Sequence, residues 1–175
     1  MSQETEFEQL VDTHYPSLYR FALSLTRHES DACDLTQETF YIWARKHHQV
    51  RDHSKVKSWL FTTLHREYLQ RFRRITRFPQ VDLAAAEPEL PGAPAIPPER
   101  FDRHGLLMAL EKIDENFKAA IALFYLEDYT YAEIAEVLQI PLGTVKSRIS
   151  RGIGQLQVIL SETGASRPKA EVARG

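Results

Sequence analysis

The chain has a single cysteine in 175 residues, Cys33, so it can build neither an intramolecular disulfide nor a cysteine-rich zinc site. It lacks any run of about 18 apolar residues, which argues against a membrane-spanning helix. Its start, Met1 to Glu8, is polar and acidic, unlike a secretory leader. The period-two alternation of half-buried strands is missing throughout. Missing too are internal repeats, a glycine-rich phosphate loop and a nucleophile motif. Seven histidines are present, of which His47, His48 and His53 lie closest together. No cysteine or paired carboxylate completes a ligand set beside them, so no metal is expected. These absences predict an all-α, cytoplasmic chain with no cofactor and no enzyme chemistry of its own.

An excess of one charge is lacking only in the total. Twenty-two Lys and Arg stand against 24 Asp and Glu, a net charge of -2. Along the chain the balance is uneven. Residues 1–44 hold two basic and eight acidic side chains, whereas residues 45–78 hold ten basic and two acidic. An acid-then-base split within one helical domain suits two partners of opposite charge.

The apolar periodicity divides the chain into two small helical domains. Over residues 5–78, Phe7, Leu10 and Val11 open a stripe, and Pro16 is placed to restart a helix continued by Leu18, Phe21, Ala22 and Leu25. Ser30 is a candidate cap for a second helix reaching about Lys46, with Ala32, Leu35, Ile42 and Trp43 inward. Arg51 to Lys55 reads as a polar loop, followed by a long helix with Val56, Trp59, Leu60, Leu64 and Phe72 facing in. Residues 79–100 contain six prolines among Ala and Glu; they read as an extended acidic linker. Residues 101–160 then read as a four-helix domain, and residues 161–175 as a tail without apolar periodicity.

The densest signal is Thr130 to Arg151. Thr130 and Glu133 have capping-box spacing, and Ile134, Val137 and Leu138 recur at helical intervals. Gln139 to Gly143 interrupts that pattern, with Pro141 placed to begin a helix. Val145 and Ile149 supply the buried side of the next one. Lys146, Ser147, Ser150 and Arg151 fall on another face, with Thr144 and Arg148 at its margins. A helix-turn-helix of this kind enters a major groove. In the first half, Asp34, Gln37, Glu38 and Tyr41 lie three or four residues apart on one helix face. Spacing alone fits an ordinary solvated face there as well as a docking stripe. The third helix interleaves Lys55, Lys57, Arg66, Arg71, Arg73, Arg74 and Arg77 with aromatics. Such a surface suits single-stranded DNA, although most of those aromatics belong in a core.

Three motifs carry a family resemblance: Asp34-Leu-Thr-Gln-Glu-Thr-Phe40, Lys57-Ser-Trp-Leu-Phe61, and Tyr131-Ala-Glu-Ile-Ala135 with Gly143-Thr-Val-Lys-Ser-Arg148 and Arg151. In this order, around a proline-rich linker, they resemble the extracytoplasmic-function sigma factors of bacterial RNA polymerase, over residues 7 to 157. The resemblance implies that Asp34, Gln37, Glu38 and Tyr41 dock on the clamp helices of the largest polymerase subunit. It implies minus-ten promoter contacts from Arg51, Lys55, Lys57, His65, Arg66, Arg73 and Arg74, and minus-thirty-five contacts from Thr144, Lys146, Ser147, Arg148, Ser150 and Arg151. It also implies contact with the flap of the second-largest subunit, an anti-sigma factor as a further partner, and no catalysis by the chain itself. One departure stands out. Many members have Ala-Arg-Asn where this chain has Leu64-His65-Arg66-Glu67, so Arg66 occupies the usual Asn position and an altered minus-ten preference is expected. Two other readings remain compatible with parts of the sequence: a dimeric helix-turn-helix regulator independent of polymerase, and a helical partner protein that never touches DNA.

Overall fold

The computed structural model describes residues 3–76 and 103–162. The expected linker 79–100, and the tail beyond Glu162, lie outside the described residues, as do the side chains of Arg73 and Arg74. All described elements are helical.

The first domain is built from α1 (Gln3–Thr26), α2 (Glu29–Lys46) and α3 (Val56–Thr76). Pro16 does not restart a helix: α1 runs through it without a break. A mid-helix proline forfeits one backbone hydrogen bond. The row that follows, Leu18, Phe21, Ala22 and Leu25, is buried almost completely, and that packing outweighs the lost bond. The helix ends at Arg27, whose φ of 65° is left-handed and whose N–H reaches the Leu23 carbonyl at 2.9 Å. Ser30 is not the cap of α2. His28 holds the N-cap position with extended backbone and no side-chain cap bond, and Ser30 lies inside the first turn. Glu29 and Asp31 at the start, and Arg45 and Lys46 at the end, match the helix dipole instead.

Between α2 and α3 lie two single 3-10 turns, His47–Gln49 and His53–Lys55, the second of them within the polar loop expected at Arg51 to Lys55. Asp52 organises the second, accepting from the Ser54 N–H at 3.0 Å and its hydroxyl at 2.6 Å. These bonds hold the Asp52 carboxyl below its ordinary pKa. In α3, Val56, Leu60 and Leu64 face inward as the periodicity predicts, and Phe61 joins them. Trp59 and Phe72 are only part-buried, as is Ile42. Phe21 and Phe61 meet at 5.3 Å, and Trp43 and Trp59 edge to face at 5.1 Å.

The second domain comprises α4 (Arg103–Leu110), α5 (Glu115–Leu126), α6 (Tyr131–Leu138) and α7 (Leu142–Glu162). Asp114 caps α5 through the Asn116 N–H. The capping box at Thr130 and Glu133 is present in both directions. Gln139 closes α6 with a left-handed φ of 55°. Pro141 stands just ahead of α7, its carbonyl accepting from the Val145 N–H at 3.1 Å. Gly152 permits close approach of α7 to α5, because a Cβ there would meet Ile121 Cγ1 at 2.7 Å. The two domains pack on each other, α1 against α5 and α3 against α6. Phe61 and Tyr129 join their apolar interiors at 5.4 Å.

Candidate polymerase and nucleic-acid interfaces

The α2 stripe follows from the apolar row beneath it. Ala32, Leu35, Thr36, Thr39, Phe40 and Trp43 are buried, which turns the residues between them outward. Asp34, Gln37 and Tyr41 are exposed, Tyr41 by 56%, and Glu38 is part-buried. Together with Arg71 of α3 they line one shallow cleft. Arg45 adds a cation 5.7 Å from the Tyr41 ring centroid. An acidic rim with an exposed aromatic beside one guanidinium suits a basic, amphipathic partner surface. The structure thus brings together the four residues expected for polymerase.

The residues expected at the minus-ten element are brought together differently. Arg51 is exposed between the two turns and Lys55 on the second, and Lys57 and Arg66 lie on the outer side of α3. Yet Lys55, Lys57 and Arg66 engage the second domain. Lys55 Nζ is 3.5 Å from Glu136; Lys57 Nζ is 4.8 Å from the Tyr129 ring centroid; and the Arg66 guanidinium donates to Gln139 Oε1 at 2.6 Å. His65 is enclosed near Arg148, and burial first, then that cation, lowers its pKa to about 4. A cavity between the end of α2 and α3 opens beside these residues, lined by Trp59, Arg66, Glu67 and Gln70 among others.

In the helix-turn-helix, Val145, Ile149, Ile153 and Leu156 form the buried row of α7. Lys146 is exposed, and Arg148, Ser150 and Arg151 are part-buried. Thr144 and Ser147 do not lie on an outer face: they are 6% and 2% exposed. At 3.6 residues per turn, Ser147 points away from the Val145–Leu156 row. Its burial is therefore not the work of the second domain's own core row.

Two acidic residues were not singled out as functional by the sequence. Glu115 accepts from Arg27 at 2.7 Å, Lys118 at 2.8 Å and the Tyr68 hydroxyl at 2.8 Å. Lys118 is fully buried, and burial lowers its pKa against the pull of Glu115. Glu127 receives both arms of the Arg20 guanidinium, at 2.7 and 3.0 Å. Burial raises the Glu127 pKa even so, outweighing Arg20. Only Glu115–Lys118, three residues apart, has a local signal; 107 residues separate Arg20 from Glu127 and 88 separate Arg27 from Glu115.

Cys33 is a helix residue whose sulfur lies near the Tyr15 hydroxyl and the Gln37 amide. No helix among the described residues is long and apolar enough to cross a membrane.

Comparison with known proteins identifies both domains. The family model for sigma-70 region 2 matches residues 10–78, and that for sigma-70 region 4 matches residues 103–156. The chain is 32% identical over 165 residues to the ECF RNA polymerase sigma factor SigL of Mycobacterium tuberculosis H37Rv, covering 90% of each. It is 26% identical to SigM of Bacillus subtilis, over 87% of this chain and 93% of that one. Against SigE of Mycolicibacterium smegmatis it is 33% identical, over 89% of this chain but only 62% of that relative's length. Among solved structures, the sigma factor RpoE of Bartonella quintana, in complex with the anti-sigma factor NepR, superposes with a TM-score of 0.68 at 27% identity, covering 89% of this chain and 97% of that one. CnrH, in complex with the cytosolic domain of CnrY, shares the fold with a TM-score of 0.67 at 23% identity, over 92% and 91% of the two chains. With both sigma-70 regions matched in order on two packed helical domains, the chain belongs to the ECF RNA polymerase sigma factors.

Proposed function

We propose that the chain is a non-catalytic, cytoplasmic specificity factor that joins core RNA polymerase through α2 and reads promoter DNA through α3 and α7. The observation that carries this reading is the open acidic stripe of Asp34, Gln37, Glu38 and Tyr41, standing in one chain with a basic helix and a capped helix-turn-helix. The stripe docks on the clamp helices of the largest subunit, and the second domain meets the flap of the second-largest. Residues 5–78 act as the unit that holds polymerase and the minus-ten element, and residues 101–160 as the unit that reads the minus-thirty-five element. The acidic stretch 79–100 connects them, and 161–175 is a tail.

In this mechanism Arg51, Lys55, Lys57, His65, Arg66, Arg73 and Arg74 hold the melted minus-ten strand. A base extruded from the stack repays its unstacking through contacts near the Asp52 turn and the cavity beside Trp59 and Arg66. Arg66 in place of the usual Asn brings a guanidinium fork rather than an amide to that strand, which favours phosphate or guanine over adenine. Lys146, Arg148, Ser150 and Arg151 of α7 reach phosphates and base edges of the minus-thirty-five element, and the buried Thr144 and Ser147 support that helix from within. An anti-sigma factor is a natural further partner, because the solved relatives named above are held by such proteins or by a cytosolic domain.

The test is transcription from a genomic promoter library by bacterial core polymerase with and without this protein. Discrete new start sites sharing two upstream elements are expected. The absence of new start sites with folded protein overturns the reading, and duplex binding without polymerase then favours a stand-alone helix-turn-helix regulator.

A further inference from the structure

The stretch that holds ten basic residues, 45–78, contains two acidic ones, Asp52 and Glu67. Asp52 has a structural task, since it accepts from the Ser54 N–H and hydroxyl and organises the turn before α3. Glu67 has none of that kind. Among the described residues it takes part in no hydrogen bond or ion pair, and it lines the cavity between the end of α2 and α3. A carboxylate on a helix that binds a polyanion weakens that binding, because it repels each phosphate brought near it. It helps only where it meets the edge of a base.

We propose that Glu67 is a specificity-determining residue: in the cavity beside Trp59, its carboxylate reads an extruded guanine of the melted minus-ten strand. The proposal rests on the assignment of α3 to that strand, and it names the base and the residue that selects it.

The cavity discriminates among the four bases by its chemistry. Its volume of about 270 Å³ lies below the roughly 300–1,000 Å³ of sites for drug-sized ligands, which suits one nucleobase. Trp59 forms part of the wall and is met edge to face by Trp43 at 5.1 Å, so it offers a braced ring for stacking. Glu67 can only accept hydrogen bonds, whereas Lys46 and Arg66, which line the same cavity, can only donate. Guanine alone carries two adjacent donors, N1–H and N2–H2, and these match the two carboxylate oxygens. The guanine O6 beside them accepts from a cation. Arg66 keeps one arm on Gln139 Oε1 at 2.6 Å, and its remaining N–H groups are enough for that contact. Adenine and cytosine set a ring acceptor next to their amino group, so the second carboxylate oxygen would face a lone pair. Thymine offers one N–H between two carbonyls. Gln49 and Gln70, also in the lining, can donate or accept and so do not choose between bases.

The experiment is selection from a promoter library, with every minus-ten position randomised, by core polymerase carrying the parent chain, Glu67→Gln or Glu67→Ala. The parent should enrich guanine at one position of the non-template strand by on the order of tenfold over the other bases. Both variants should lose that enrichment and keep the preferences at the other positions. Glu67→Gln preserves the size of the side chain, and its helicity and thermal midpoint should equal those of the parent. A second measurement uses a pre-melted promoter fragment with inosine at the selected position, which removes only the N2 amine. Inosine should weaken binding several-fold in the complex with the parent chain and leave binding unchanged in the complex with Glu67→Ala. An unaltered selection profile in both variants overturns the proposal. So does a parental preference for another base at the affected position, or an inosine effect of equal size in parent and Glu67→Ala. A parent chain that selects no promoter removes the sigma assignment and this proposal with it, whereas promoter selection without a response at Glu67 removes the guanine contact alone.

Discussion

The outward faces of α2 and α3 are opposite in charge and opposite in circumstance. Both are polar, both flank the same buried row of the first domain, and both follow from helical periodicity. The α2 face stands open, with Tyr41 more than half exposed. The α3 face is touched by the second domain: Lys57 and Arg66, with Lys55 of the preceding turn, reach Tyr129, Gln139 and Glu136 while remaining exposed. A charged helix face is thus not automatically an unpartnered one. What separates the two is where the opposite charge lies: the acidic stripe of α2 has only Arg71 and Arg45 of its own domain beside it, whereas the basic α3 meets an acidic α5–α6 corner.

The strongest way to break this comparison is to reverse the open face. Asp34→Lys together with Glu38→Lys should reduce polymerase-dependent transcription by on the order of 100-fold while leaving helicity and thermal midpoint near those of the parent, because exposed charges contribute little to folding. Undiminished transcription would show that the stripe is only a solvated surface. The contrast of covered and open also runs inside α7. Gly152→Ala places a methyl against Ile121 and Phe117 and should cost about 1–3 kcal/mol by denaturant unfolding. Gly154→Ala meets nothing within 4 Å and should stabilise by about 0.5–1 kcal/mol. Equal effects of the two would mean that α5 and α7 are not in close contact.

A smaller effect follows from the covered side of α3. Enclosure lowers His65 from its ordinary 6.5 to about 4, so the folded chain holds the ring neutral. A depressed pKa contributes stability that is fully present above 6.5 and is lost as pH falls toward 4, amounting to about 1–2 kcal/mol by pH 5. His14, also lowered, acts in the same direction, and Glu127, raised, acts in the opposite one. His65→Asn should therefore flatten the fall in urea midpoint between pH 7.5 and 5; the same slope in parent and variant would place His65 in open solvent. The smallest effect is on α7. Arg151→Ala should weaken promoter binding several-fold in the polymerase complex and reduce the salt slope by about one, if it contacts a single phosphate. An unchanged slope would move Arg151 off the DNA.

Much of this fold is legible residue by residue. The capping box at Thr130 and Glu133, the row Val145–Ile149, and the inward Val56, Leu60 and Leu64 are each specified by neighbours within two turns of helix. Local reading failed where burial overrode a local preference. Pro16 is accommodated because Leu18, Phe21 and Ala22 beyond it are driven into the core, and Ser30 is passed over as a cap because the apolar row beginning at Ala32 sets where α2 starts. Phe61, not Trp59, turns fully inward because Phe21 and Tyr129 meet it from two domains.

What the sequence determined by itself was therefore the helices, their apolar rows, the acid-then-base division and the motifs of a sigma factor, all set by interactions a few residues long. The tertiary structure alone decided which charged faces are open. Arg20 finds Glu127 across 107 residues and Arg66 finds Gln139 across 73, and Ser147 is buried on the side away from its own helix's core row. Such pairings depend on how two folded surfaces meet, and no periodicity along the chain encodes that meeting.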